Sequence, residues 1–137
     1  MNLSLEKDRF AICQLAADAS IPAWASGKGA FASISRTSEE LSIVCLERAV
    51  PQEVKQQKGW RLLKVDGPLD FALTGILASI ATPFAKAGVS IFALSTYHTD
   101  YVLLKDGQVE EAVRALQAAG HTVRIGSACH EKDRDLG

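Results

Sequence analysis

Apolar positions in the second half of the chain alternate between two rhythms. Trp60, Leu62, Leu63 and Val65 crowd a short stretch that Asp66, Gly67 and Pro68 break. This predicts a strand over 60–65 and a turn after it. Ile76, Leu77, Ile80, Ala81 and Phe84 then share one face at helical spacing. Thr74 is placed as the N-cap of this helix and Gly88 as its stop. Pro83 lies inside the pattern, removes one backbone bond and is expected to kink the last turn.

Positions 89–97 predict a strand that is apolar on both faces, as a central or interfacial strand is. His98, Thr99 and Asp100 punctuate it, and 101–105 returns as the second strand of a hairpin. Val109, Ala112, Val113 and Leu116 mark a second amphipathic helix, ended by Ala119 and Gly120. A last strand is expected over 121–125. The order strand–helix–strand–strand–helix–strand is the βαββαβ, ferredoxin-like pattern of an α+β fold. Both helices then lie on one face of an antiparallel sheet, and the other face needs cover.

The first half is strand-rich. Strands are expected over 10–15, 31–36 and 41–47, with a turn at 37–40. Pro22, Gly27 and Gly29 argue against a long helix over 20–29, and 51–58 reads as a polar linker. The organisation expected is a half-domain at 1–58, a complete βαββαβ domain at 59–126 and a loose tail at 127–137.

Composition narrows the function classes. Of 137 residues, 47% are hydrophobic and 23% charged, a globular balance rather than a disordered one. Fifteen basic residues against 16 acidic ones imply no bulk attraction to nucleic acid or an anionic membrane. Cys13, Cys45 and Cys129 are too few and too widely spaced for a disulfide framework. They are expected as two buried thiols and one in the tail, in a reducing compartment. No signal peptide is read at the N-terminus and no apolar run approaches the roughly 20 residues that span a bilayer, so the cytoplasm is the expected location.

Candidate chemistry is sparse. His98, His121 and His130 have no partner at metal-ligand or triad spacing, and Gly27-Lys28-Gly29 lacks the context of a phosphate loop. No cofactor or metal is expected. A hydrolase of acyl phosphates on this fold needs a water-positioning asparagine; the chain's one asparagine, Asn2, is expected in a frayed end. What stands out is polarity at two ends of the βαββαβ pattern. Ser95, Thr96, Thr99 and Asp100 cluster at the hairpin, and Thr74, Gly75 and Ile76 begin the first helix. Turn chemistry and a simple cap account for these residues as well as a site does. A helix start that receives an anion beside a carboxylate that receives a cation also suits a zwitterion.

The motifs together resemble the ACT domain. They are Gly67-Pro68-Leu69-Asp70-Phe71, Thr74-Gly75-Ile76-Leu77-Ala78, the run Ala87-Gly88-Val89-Ser90-Ile91-Phe92-Ala93-Leu94-Ser95-Thr96-Tyr97, and Thr99-Asp100-Tyr101-Val102-Leu103. Within that family the chain is similar to small tandem-ACT proteins, to aspartate kinase regulatory domains and to cytosolic arginine sensors. Ile21-Pro22-Ala23-Trp24, Arg36-Thr37 and Glu40-Leu41-Ser42-Ile43-Val44-Cys45 extend the likeness, with a first ACT unit that lacks a proper helix. The resemblance implies a non-enzymatic regulatory protein that binds an amino acid where ACT units pack together. Carried over, Thr74, Gly75 and Ile76 offer N–H groups to the ligand carboxylate, Ser90 and Ile91 line the pocket, Thr96 and Thr99 form the polar rim, and Asp100 accepts from a cation. It also implies a homodimer and, since no catalytic domain is attached, a regulated partner enzyme. A structural adaptor without ligand and a small enzyme on the same fold are the alternatives.

Overall fold

The computed structural model describes residues 1–66 and 75–126. The chain divides into two compact units that interleave along the sequence. Met1–Lys7 and Arg61–Gly126 form the larger unit, and Asp8–Trp60 lies in the smaller one. The sequence instead suggests continuous segments divided at 58.

The larger unit contains strand β1 in its first residues, Asn2–Leu15 overall, and the end of β4, Lys55–Val65. Helix α1 (Ile76–Ala87), strands β5 (Ile91–Ser95) and β6 (Asp100–Lys105), helix α2 (Val109–Ala118) and strand β7 (Thr122–Ile125) follow. The expected βαββαβ order is therefore present. Its sheet runs β7-β1-β4-β6-β5, with β1 inserted between the first and last strands of the motif. The insertion is parallel to β7, from Asn2 opposite Thr122 to Leu5 opposite Ile125.

Alternation explains it. Leu3 and Leu5 face inward at 1% and 2% exposure and join Leu63, Val65, Val102 and Leu104. Ile80 and Phe84 of α1 and Ala112 and Leu116 of α2 close the same core. At roughly 1.5–3 kcal/mol for each fully buried large apolar side chain, Leu3 and Leu5 anchor the added strand. Asn2 is thus part of a paired strand, where a frayed end was expected.

The smaller unit joins the rest of β1 to β3 (Leu41–Leu46) and β2 (Ser33–Arg36), all antiparallel. Its core is Ala11, Cys13, Ala25, Leu41, Ile43, Cys45 and Val50. Short 3-10 turns at Ala23–Ala25 and Glu47–Ala49 stand where a full domain would carry helices. Arg36 donates to the carbonyls of Ala17 and Ala19 and ties down the loop that follows β1.

Other boundaries shift for local reasons. The supposed linker at 51–58 already contains the start of β4, where Lys55, Gln57 and Lys58 are exposed polar residues of a solvent-facing strand end. The strand expected at 89–97 shortens to Ile91–Ser95, since Thr96 turns the chain. Of the expected tail and its Cys129, nothing lies within the described residues.

Candidate functional site

Gly75 opens α1. Its φ of 74° is left-handed, a conformation glycine adopts without strain, and no side chain caps the helix. Thr74, expected in that role, lies outside the described residues. The first N–H groups of α1 therefore have no side-chain acceptor among the described residues, at the positive end of the helix dipole.

The hairpin between β5 and β6 is built from its own polar residues. Thr96 donates its N–H to the Thr99 carbonyl at 2.9 Å. The Thr96 hydroxyl bonds the same oxygen at 3.1 Å. Thr99 points inward, 3% exposed, and its hydroxyl donates to the Val65 carbonyl at 2.6 Å. That bond fixes the start of β6 to the exit of β4. Thr99 is thus committed to the fold, where the family resemblance implies a polar rim.

Asp100 pairs with Ser95 as the last rung of β5 against β6, and the Ser95 hydroxyl donates to Asp100 Oδ1 at 2.6 Å. Among the described residues no cation pairs with this half-buried carboxylate. Asp66, at the end of β4, is differently placed. It accepts from Ser4 Oγ at 2.7 Å, and Arg124 lies 3.9 Å away and donates to the same Ser4 oxygen at 3.0 Å. Ser4, Asp66 and Arg124 are far apart in sequence, and no motif links them.

Ser90 and Ile91 do not join this end. Ile91 pairs with Leu104, whereas Ser95 pairs with Asp100, so the two groups stand at opposite ends of β5. Four residues of strand separate them by about 13 Å. The Ser90 N–H instead faces the Gln108 side-chain oxygen at 3.4 Å.

A separate open groove of about 800 Å³ runs between the outer faces of α1 and α2. Gly75, Ala78, Thr82, Pro83, Ala115 and Ala118 are among its lining residues, and Asp100 is not. Gly75 thus lines this groove, while Ile91 stands at the opposite end of β5 from Ser95 and Asp100.

The ACT-domain family model matches residues 55–118, and a second model, of an N-terminal domain, matches 8–53. The chain is an ACT-domain protein. Among solved structures it is similar to an Agrobacterium tumefaciens protein at 39% identity, with a TM-score of 0.86, covering 91% of this chain and 92% of that one. A Vibrio cholerae protein of unknown function (18% identity, TM-score 0.70, 86% and 88% covered) shares the fold. So does the regulatory subunit of aspartate kinase from Thermus thermophilus (14%, TM-score 0.58, 86% and 96% covered). Human cytosolic arginine sensor for mTORC1 subunit 1 is 36% identical over 59 residues, 42% of this chain. That match spans only 18% of the sensor's length. Of these four, one is a regulatory subunit and one a sensor by name. In this ACT chain, no helix among the described residues is long and apolar enough to cross a membrane.

Proposed function

We propose that this ACT protein is a non-enzymatic regulatory module of the cytoplasm that binds a free amino acid at the end of the larger unit. The α-carboxylate is received by the backbone at Thr74, Gly75 and Ile76, and the ammonium or a basic side chain by Asp100. Ser95 and Thr96 supply polar contacts beside it, and a partner enzyme reads the bound state. The observation that carries this reading is the Asp100 carboxylate, half-buried and held by one serine hydroxyl without a cation among the described residues. A carboxylate placed so gains from a charge-assisted bond to an incoming ammonium. Support also comes from the names of its relatives, an arginine sensor and the regulatory subunit of an aspartate kinase.

Thermal shift and calorimetry against the proteinogenic amino acids test the proposal. At least one is expected to raise Tm at millimolar concentration, because a ligand of the native state stabilises it by mass action. Asp100→Asn is expected to abolish that shift while leaving the unliganded Tm nearly unchanged. A wild-type protein stabilised by none of them sinks the reading.

A further inference from the structure

Cys13 on β1 and Cys45 on β3 are free thiols, 1% and 2% exposed, in the core of the smaller unit. The strand register sets them on the diagonal. Cys13 lies opposite Ile43, and Cys45 lies opposite Ala11. Side chains two apart on a strand share a face, so both thiols point to the side that Leu41 and Ile43 also use. There they meet, and the two side chains share a hydrogen bond. Neither thiol has a part in the amino-acid site, whose residues belong to the larger unit.

We propose that Cys13 and Cys45 are a reversible redox pair, which closes a cross-strand disulfide within the smaller unit on exposure to a small two-electron oxidant such as hydrogen peroxide. Cys13 reacts first, because the hydrogen bond from Cys45 favours its ionised form. Its thiolate attacks one peroxide oxygen, the O–O bond breaks, and hydroxide leaves and takes up the thiol proton as water. The sulfenic acid so formed lies against Cys45. The Cys45 sulfur attacks that of Cys13, the S–O bond breaks, and the departing oxygen carries off the Cys45 proton as a second water. Two thiols thus supply the two electrons that one peroxide accepts.

The diagonal register fixes the character of the bridge. Diagonal Cα atoms on adjacent antiparallel strands stand about 7–8 Å apart, against roughly 4.4–6.8 Å across a relaxed disulfide. The sulfurs already touch, but bonding them draws β1 and β3 together by about an ångström. A disulfide closed under that strain is more easily reduced than a relaxed structural one. Burial supplies the other half of the device. It keeps external thiols from the sulfenic acid and leaves the adjacent cysteine to resolve it. Burial also raises both thiols, so little thiolate exists near neutral pH and the reaction is slow. The pair records sustained oxidation rather than a brief pulse.

The full chain with Cys129→Ser tests this, folded, in about 1 mM hydrogen peroxide near neutral pH, with peroxide then removed and the protein unfolded in iodoacetamide. The expected product is two hydrogens lighter and takes up no iodoacetamide. Its unreduced digest links the Cys13 and Cys45 peptides, and dithiothreitol restores two alkylatable thiols. Two thiols that stay alkylatable after a day, a product that only gains oxygen, or a bridge that forms only in urea overturns the pair. Strain is read by a second variant, Ile43→Cys with Cys45→Val, which sets two cysteines directly opposite. In a glutathione redox buffer the native pair is expected to be reduced about tenfold more readily than this opposed pair. Equal equilibrium constants overturn the strained, reversible character of the bridge.

Discussion

His121 Nε2 lies 3.0 Å from the carbonyl oxygen of Ser79. That oxygen is four residues before Pro83, so it is the one in α1 that the proline deprives of its N–H partner. The helix continues through Pro83 to Ala87 with an imidazole from the start of β7 standing in for the missing donor. The contact fixes the tautomer, with the proton on Nε2.

A double-mutant cycle isolates this relationship. His121→Ala is expected to cost about 1 kcal/mol, as an exposed hydrogen bond to a backbone carbonyl does. In a Pro83→Ala background, where the backbone N–H returns, the cost should fall below half of that. Equal costs in both backgrounds, measured by urea unfolding, contradict the substitution of one donor for the other.

Thr99 offers a separation of stability from binding. Thr99→Val keeps the shape but leaves the Val65 carbonyl without its 2.6 Å donor. An expected loss of 1–3 kcal/mol follows from an unsatisfied buried acceptor. Thr99→Ser should restore most of it. The amino-acid affinity of the surviving Thr99→Val protein should change little, because the hydroxyl faces the fold. A large loss of affinity at unchanged stability is the opposite result.

Arg61 serves two elements of the larger unit at once. Its Nε and Nη2 donate to the Glu6 carbonyl at 3.0 and 2.7 Å, and its Nη1 lies 3.2 Å from Asp106. The side chain is only 16% exposed. Arg61→Ala is expected to cost roughly 2–3 kcal/mol, and Arg61→Lys should recover little, since a single ammonium lacks the planar fork. Full recovery in chemical denaturation by lysine shows that charge alone matters.

The thiols set a prediction in pH. Burial pushes Cys45 up to about 12, and Cys13 is raised for the same reason, with the Cys45 contact opposing. Each folded-state value exceeds the unfolded one, near 9. The stability they contribute is therefore complete below pH 9 or so and lost as pH rises towards 12. Cys45→Ala should flatten the decline of stability across that window. Iodoacetamide at pH 8 should leave both thiols unmodified until the protein is unfolded. Rapid alkylation of native Cys45, read by mass spectrometry, contradicts this.

The sequence by itself determined the two helices, the βαββαβ order and the family. Ile76, Ile80 and Phe84, or Ala112 and Leu116, keep helical spacing whatever else the chain does, because a helix closes its hydrogen bonds within itself. The polar residues at 95–100 could be seen too, although cap and turn chemistry explained them equally well. Only the tertiary structure decided which strands lie side by side. Leu3 and Leu5 are as apolar as any strand residue, but nothing local says that they pair with Val123 and Ile125. The same holds for the hydroxyl of Thr99, the imidazole of His121 and the position of Ile91 at the far end of β5. A strand and a buried polar group are satisfied by distant segments, and the identity of that partner is written in the packing rather than in the neighbouring residues.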